Sequence, residues 1–226
     1  MITIITEHSE AVGSPDFSAP IGAIQDNHSN PVYLAELERV AGAKRFSYLD
    51  LACAGGQSVV DVYEAGNIAC GVEGSSLEKI LTSTRWQPTY LGGDVVKSGA
   101  ENWKNYKDIC LFKSDISKPF ELRNKDGEIQ TFDIITAWDF LEHPLPEEIP
   151  TVINNIKKHL AENGTFICLI SLAHGSHHRC VRPRMWWLDQ FSQKGLIDIG
   201  FSFNASPRHT VPPITPDDLG FAFKHK

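Results

Sequence analysis

The sequence predicts an α/β protein built on a doubly wound, mixed sheet of seven strands, with the last strand antiparallel. Three observations predict this fold class. Apolar, strand-like runs alternate with helix-like runs, which is the order of parallel βαβ units. The final two apolar runs, "LIDIGFSFN" and "LGFAFKH", follow one another without a helix, which predicts an antiparallel pair at one edge. A loop of small residues, "ACAGG", joins a strand to a helix, as ligand-binding loops of such sheets do.

The chain divides into an irregular N-terminal arm, residues 1–30, and a single domain, residues 31–226. The arm carries scattered Gly, Pro, Ser and His with no period, and it is a candidate to fold over a site. The first helix begins at Pro31, because proline suits a first helical turn. Its apolar stripe consists of Val32, Leu34, Leu37 and Val40.

Strands and helices then alternate along the rest of the chain. Gly66 is expected to end the helix after the small-residue loop, and Asn163-Gly164 to end the longest helix. The segment Gln87–Lys107 is too long for a tight connection, which predicts either an insertion near the site or a short extra helix. The predicted strands are 45–53, 67–74, 108–116, 132–140, 165–173, 196–204 and 219–225, and the predicted helices are 31–43, 56–66, 76–86, 146–164 and 182–195.

Composition and charge limit the classes of partner. The chain has 226 residues, of which 42% are hydrophobic and 22% charged, so it can bury a sizeable core. Its formal charge of −7 argues against long nucleic acid, since binding many phosphates needs clustered Lys and Arg. One modest basic cluster, "HHRCVRPR", has two interpretations: it binds a phosphate or carboxylate, or it is a solvated helix start.

Targeting and cysteine patterns predict a cytoplasmic protein. The start "MITIITEHSE" lacks the basic residues and apolar core of a signal peptide. The sequence contains no run of about 20 apolar residues, so it predicts no membrane span. The five cysteines show no CxxC spacing, which predicts small buried side chains in a reduced compartment.

The small-residue loop and the next strand predict a nucleoside site. Asp50 and the run Ala54–Gly56 follow a strand at the edge where doubly wound sheets bind ligands. Small residues there allow the backbone to approach a ligand closely. Glu73 stands at the tip of the next strand, where its carboxylate offers two acceptors to the vicinal hydroxyls of a ribose.

The loop resembles motif I, DxGxGxG, of the class I S-adenosylmethionine-dependent methyltransferases, with Ala52 and Ala54 at the first two glycine positions. The resemblance extends over residues 46–171, through "GVEGSS", "LFKSDISKPF" and "FDIITAWDFLEHP" with the helix and strand after it. It implies a Rossmann-like fold, S-adenosylmethionine as cofactor and methyl transfer as activity. The cofactor-binding residues that it implies are Asp50, Ala52, Ala54, Gly55, Gly56, Glu73, Gly74, Asp115, Ile116, Ala137 and Trp138. Asp115 would face the adenine amino group, and Ile116 would pack on the base.

The segment "WDFLEHP" predicts the acceptor side of the site. Asp139, Glu142 and His143 crowd the exit of the strand 132–140. An alcohol acceptor must lose a proton, and histidine is suited to accept one near neutral pH. His177 and His178, in the loop after the next strand, are further candidates for catalysis. His143 has a simpler interpretation as a packing or capping residue at a helix start.

Three histidines within five residues, His174, His177 and His178, raise the question of a metal site. Their spacing lacks the HExxH form, and loop histidines are often only polar surface. We therefore predict no metal.

The sequence predicts a methyltransferase whose acceptor is a small molecule or glycan precursor. The exit Trp-Asp-Phe-Leu lacks the (Asp/Asn)-Pro-Pro-aromatic tetrad that methyltransferases of nucleobase amino groups tend to carry. Two alternatives remain. One is a non-catalytic, methyltransferase-like partner subunit, which the two loop alanines allow. The other is a nicotinamide-dependent oxidoreductase, which the absence of GxGxxG disfavours. The sequence leaves the oligomeric state open and predicts no membrane partner.

Overall fold

The structure is a computed structural model that describes residues 1–15, 17, 30–82, 99–175, 177–207 and 218–226. The strands are β1 (Thr3–Thr6), β2 (Ser47–Leu51), β3 (Ile68–Glu73), β4 (Leu111–Lys113), β5 (Phe120–Arg123), β6 (Phe132–Trp138), β7 (Leu160–Ser171), β8 (Leu196–Asp198) and β9 (Asp218–His225). The helices are α1 (Pro31–Ala41), α2 (Gln57–Glu64), α3 (Leu77–Thr82), α4 (Gly99–Tyr106), α5 (Ile149–His159) and α6 (Arg184–Gln193).

Seven strands form one mixed sheet in the order β4-β3-β2-β6-β7-β9-β8. The pairs β2–β3, β2–β6, β3–β4 and β6–β7 are parallel, whereas β9 is antiparallel to both β7 and β8. This arrangement confirms the predicted doubly wound, Rossmann-like sheet with an antiparallel last strand. It also places the carboxyl ends of β2, β3, β4, β6 and β7 along one edge, where the predicted site residues follow.

Two hydrophobic cores cover the two faces of the sheet. Successive side chains of a strand point to opposite faces, and β2 shows this alternation. Leu49 and Leu51 belong to the core that includes Trp187 and Phe191 of α6, while Tyr48 belongs to the core that includes Leu37 of α1 and Val59 of α2. Both faces of the central strands are therefore buried, as parallel sheets require.

The sequence did not predict a second, two-stranded sheet. β1 pairs antiparallel with β5, so part of the arm predicted to be irregular is a strand. Both strands have only four residues, and β1 alternates between exposed and half-buried positions. So short a run carries too little periodicity to predict a strand without its distant partner.

The predicted end of the longest helix is wrong. α5 ends at His159, and β7 begins at Leu160, so that Asn163-Gly164 lies inside a strand. A β-carbon at Gly164 would come 2.8 Å from the carbonyl oxygen of Phe132, beside a register shift in the β6–β7 pair. The glycine therefore marks a close approach of two backbones at a bulge rather than a helix stop.

The segment predicted to hold an insertion or an extra helix contains α4 at its end. Residues 83–98 lie outside the described residues, and with them the end of the predicted helix 76–86 and most of the predicted insertion. Among the described helices, none has the length and apolar composition needed to cross a membrane.

Candidate functional site

The loop after β2 winds through three left-handed backbone positions. Ala52, Ala54 and Gly56 have φ angles of 61°, 52° and 78°. These are the three glycine positions of the DxGxGxG pattern, so the loop keeps the backbone path although two positions carry a β-carbon. Each alanine in this region costs roughly 1–2 kcal/mol relative to a right-handed conformation.

Relief of this strain gives the first testable prediction. We expect Ala54→Gly to raise the free energy of unfolding by about 1 kcal/mol, because glycine adopts positive φ without steric cost. Ala65→Gly is the matched control: Ala65 has φ of −68°, so glycine there should lower the free energy of unfolding. Urea denaturation of both variants measures the difference. A destabilised Ala54→Gly variant would contradict the strain.

Glu73 joins the loop after β2 to the segment after β3 through hydrogen bonds. Its side chain is buried at the tip of β3, and each carboxylate oxygen accepts one backbone hydrogen bond. The amide of Ala54 donates to Oε2 at 2.9 Å, and the amide of Ser75 donates to Oε1 at 2.8 Å. A carboxylate oxygen has two lone pairs, so one acceptor position per oxygen remains beyond these bonds. The carboxylate is therefore held in a fixed orientation by the loop that it faces.

Helix α4 fixes the same loop from the other side, through residues that sequence analysis missed. The indole nitrogen of Trp103 donates to the carbonyl of Ala54 at 2.9 Å, and the amide of Asn102 donates to the carbonyl of Gly55 at 3.1 Å. Lys113, at the end of β4, lies over the ring of Trp103 at 5.4 Å and donates to the carbonyl of Ser75. Because α4 is distant from the loop in sequence, no local pattern could have indicated these contacts.

Asp50 lies beneath the loop in a buried chain of hydrogen bonds. The indole of Trp138 starts the chain as a pure donor, and the carboxylate of Asp50 ends it as an acceptor. The chain runs through Trp138 Nε1, Tyr33 OH, Tyr48 OH, Thr136 Oγ1 and Asp50 Oδ1, with successive distances of 3.0, 2.8, 2.9 and 2.7 Å.

Burial dominates the chemistry of Asp50. Desolvation raises the pKa of its carboxyl to about 7, and the nearby Glu73 adds to the rise, although hydrogen bonds from Thr136 and Ser58 oppose it. The Ser58 hydroxyl lies 3.3 Å from Oδ2. The structure thus places Asp50 in a buried hydrogen-bond network with Thr136 and Ser58.

The N-terminal arm covers the carboxyl ends of β3 and β4. The amide of Ala11 donates to the carbonyl of Gly74 at 2.8 Å, and a β-carbon at Gly74 would come 3.0 Å from that of Ala11. The carboxylate of Glu10 accepts from the amide of Leu77 at 2.8 Å. The described part of the arm therefore packs beside the residues predicted to form the site.

Asp115 and Ile116, the residues expected to contact adenine, lie in the turn after β4. The amide of Asp115 donates to the carbonyl of His8 at 2.7 Å, and its Oδ1 accepts from both the amide and the hydroxyl of Ser117. Ile116 is buried in the core, and its carbonyl accepts from the side chain of Asn155 at 3.0 Å. Asp115 thus caps a turn in this structure, with Oδ2 outside those bonds.

Ala137 and Trp138 end β6 on opposite faces of the sheet. Ala137 is fully buried in the core beneath α5 and α6. Trp138 packs with Tyr33 and Phe203 on the other face, at ring separations of 6.0 and 5.7 Å. Both positions thus serve packing, and Trp138 also begins the hydrogen-bond chain to Asp50.

The structure brings two of the predicted catalytic histidines together beyond β6 and β7. The rings of His143 and His178 meet edge to face with centroids 5.0 Å apart. His177 is half-buried in the same loop as His178. Asp139 leaves β6 with a positive φ of 48°, and its amide donates to the carbonyl of Leu169 at 3.0 Å. Asp139 therefore turns the chain toward this cluster.

Comparison with protein-family models identifies a match over residues 26–210 to a family described as "Methyltransferase domain". The match covers most of the chain and includes the loop, β3, β6 and the histidine cluster. The chain belongs to this methyltransferase family. Membership confirms the predicted family and its methyl donor, S-adenosylmethionine, as the cofactor. Among curated proteins, no significant match to the chain was found.

Solved structures similar to this methyltransferase share its fold at low sequence identity. A TehB-like SAM-dependent methyltransferase from Corynebacterium glutamicum is 15% identical, with a TM-score of 0.58 over 88% of this chain and 90% of that one. An S-adenosylmethionine-dependent methyltransferase from Clostridium acetobutylicum is 13% identical, with a TM-score of 0.57 over 88% and 93%. The glycopeptide N-methyltransferase MtfA, in complex with S-adenosylmethionine, is 10% identical, with a TM-score of 0.54 over 88% and 95%.

The arrangement around Glu73 is compatible with the ribose of S-adenosylmethionine. Glu73 presents a carboxylate that is already oriented by two backbone amides and keeps one acceptor position on each oxygen. That arrangement matches two vicinal hydroxyls, which each donate one hydrogen bond.

Proposed function

We propose that this chain is an active S-adenosylmethionine-dependent methyltransferase for a small molecule or a glycan precursor. The observation that carries the proposal is the Glu73 carboxylate, oriented at the tip of β3 by the loop with three left-handed positions. The negative net charge and the absence of the nucleobase tetrad support a small acceptor over nucleic acid. The structurally similar MtfA is a glycopeptide N-methyltransferase, which is compatible with this acceptor class.

Within this proposal, each predicted cofactor residue has a role. Glu73 binds the ribose hydroxyls, and Ala52, Ala54, Gly55 and Gly56 let the backbone pass close to the ligand. Asp115 receives the adenine amino group on Oδ2, and Gly74, which lacks a β-carbon, lets Ala11 of the arm pack closely beside Glu73. Asp50, Ile116, Ala137 and Trp138 support these groups from below.

The acceptor side of the proposed site is the cluster beyond β6 and β7. The cofactor supplies the reactive methyl group, and the chain must orient the acceptor and, where needed, remove its proton. His143, His177 and His178 are candidate bases, and Asp139 shapes the turn that brings His143 there. A hydroxyl acceptor needs such a base, whereas an amine or a thiolate needs only positioning.

This difference gives a prediction for His177. If the acceptor is a hydroxyl, we expect His177→Ala to lower kcat about 100-fold while the Kd for S-adenosylhomocysteine stays unchanged, because a general base acts only on the chemical step. His174→Ala, an exposed histidine of the same loop, is the matched control and should leave both constants unchanged. A His177→Ala variant that loses cofactor affinity as well would contradict the role.

Ligand-dependent stability tests the proposed function and its two alternatives. A ligand at about 100 times its Kd stabilises a protein by roughly 2.7 kcal/mol, so S-adenosylmethionine and S-adenosylhomocysteine should raise Tm by several degrees. NAD should not. A shift with NAD alone would favour the oxidoreductase. Binding without turnover on a panel of small hydroxyl, amine and thiol acceptors, with turnover restored by a second chain, would favour the partner subunit.

A further inference from the structure

Three side chains that are separated in the sequence converge at the carboxyl edge of β6 and β7. Glu142, His143 and His178 each offer one potential ligand atom, and these atoms all lie within 4.8 Å of one another. Glu142 is fully buried, whereas His143 and His178 are partly exposed. The cluster is thus buried at Glu142 and partly accessible to solvent at the two histidines.

The carboxylate of Glu142 carries an atom that the protein leaves without a hydrogen bond. Oε1 accepts from the amide of Ser171 at 3.2 Å, but Oε2 is buried and has no hydrogen-bond partner. A buried carboxylate oxygen without a partner is costly, because it has lost water and gained nothing in return. The same carboxylate offers a ligand atom within 4.8 Å of those of the two imidazoles, so an ion bound by this carboxylate would give the unpaired oxygen a partner.

His178 has the tautomer that a metal ligand needs. Its Nδ1 lies 2.6 Å from the carbonyl oxygen of Ala173. A carbonyl only accepts, so Nδ1 carries the proton and Nε2 carries the lone pair of the neutral ring. Histidines that bind metals commonly donate their other ring N–H to a carbonyl in this way.

Hydrogen bonds within the protein hold the backbone around the cluster in place. The carbonyl of Glu142 accepts from the amides of Arg179 and Cys180 at 2.8 and 2.9 Å. The side chain of Arg179 donates from Nε to the carbonyl of His143 at 2.7 Å. The positive charge of Arg179 is matched by Glu148, 3.7 Å away. These bonds join the segment after β6 to the loop after β7 and hold the three donors near one another.

We propose that Glu142, His143 and His178 bind a first-row divalent transition-metal ion such as Zn²⁺ or Mn²⁺. Two imidazoles and one carboxylate form a borderline donor set that suits these ions better than Mg²⁺ or Ca²⁺. Donors at about 2.0–2.2 Å from an ion stand roughly 3 Å apart, so small side-chain rotations complete the site. Such an ion would bind an oxygen of the acceptor and lower its pKa. That role rests on the proposed function, whereas metal binding itself does not.

Calorimetric titration of the full-length, untagged protein with Zn²⁺, with no cofactor present, tests the site. We expect one Zn²⁺ per chain, and an affinity about 10-fold or more weaker in His143→Ala and in His178→Ala. His174→Ala should bind as the wild type does, because that exposed histidine lies outside the cluster. The five cysteines are all buried and so do not compete for the ion.

Either of two results would overturn the site. One is the absence of Zn²⁺ binding to the wild-type protein. The other is equal affinity in the folded variant that lacks both His143 and His178. Should that variant not fold, Co²⁺ bound to the wild-type protein gives the decision: its nuclear magnetic resonance spectrum should show a shifted, exchangeable imidazole N–H from His178. A spectrum without such a signal would reject the assignment. Because no methyl donor is present, these outcomes are independent of the proposed function.

Discussion

Replacement of Glu73 by alanine is expected to weaken binding of S-adenosylhomocysteine by roughly 10- to 150-fold. The ribose hydroxyls would lose the carboxylate that accepts their two hydrogen bonds, and hydrogen bonds to a charged group contribute about 1.5–3 kcal/mol. The substitution also frees the amides of Ala54 and Ser75, which Glu73 holds at 2.9 and 2.8 Å, so the loop loses its orientation. Calorimetric titration of the purified variant measures the affinity.

Glu78→Gln is the control for the loss of one negative charge near the site. Glu78 is exposed in the first turn of α3, and the amides of Ala54 and Ser75 donate to Glu73 rather than to Glu78. We expect its affinity for S-adenosylhomocysteine to equal that of the wild type. A folded Glu73→Ala variant with wild-type affinity would show that Glu73 orients the loop but binds no ribose.

The second large effect is the loss of the stability that Asp50 contributes as the pH rises from about 4 to about 7. The pKa of Asp50 is raised from 3.8 to about 7 in the folded protein. Between these values the unfolded chain has released the proton that the folded protein still holds, so a rise in pH favours the unfolded chain. A shift of this size corresponds to at most about 4 kcal/mol. The contribution is fully present below pH 4 and is lost as the pH passes through 7.

Asp50→Asn should remove the part of the pH dependence that comes from Asp50. An amide has the shape of the neutral carboxyl: its oxygen accepts from Thr136, and its nitrogen donates toward Ser58. Denaturation at pH 5 and pH 8 should therefore differ less in the variant than in the wild type, and the variant should be the more stable of the two at pH 8. Asp126→Asn, which removes an exposed charge, is the control and should keep the wild-type profile. An unchanged pH profile in Asp50→Asn would contradict the buried, neutral carboxyl.

The strained loop after β2 lies next to both residues of these predictions, Glu73 and Asp50. Ala54 stands at φ of 52°, and its amide and carbonyl are bound by Glu73 and by Trp103. These bonds, together with the buried hydrogen-bond chain beneath the loop, offset the conformational free energy of two alanines with positive φ. A chain that keeps this backbone path at such a cost, with the carboxylate of Glu73 aimed across it, supports cofactor binding as the purpose of the loop.

Sequence alone determined the order of strands and helices, the antiparallel last strand and the family. These features depend on local periodicity and on short motifs, such as the loop after β2 and the acidic residue at the end of β3, which are written in contiguous residues. The exceptions have local causes. The strands β1 and β5 are too short to show a period, and Gly164 has two meanings in sequence, a helix stop or a close approach of strands, which only the neighbouring Phe132 distinguishes.

The tertiary structure alone decided which side chains share a site. Trp103 reaches the loop from a helix about 50 residues away, and His178 meets Glu142 across two strand ends. Whether Asp50 faces a ligand or supports the loop likewise depended on Thr136, which lies beside it on β6. Such contacts depend on how the sheet orders its strands, and strand order brings together residues that have no pattern in common. Three potential metal ligands that no spacing along the chain indicated therefore lie within 4.8 Å of one another in the fold.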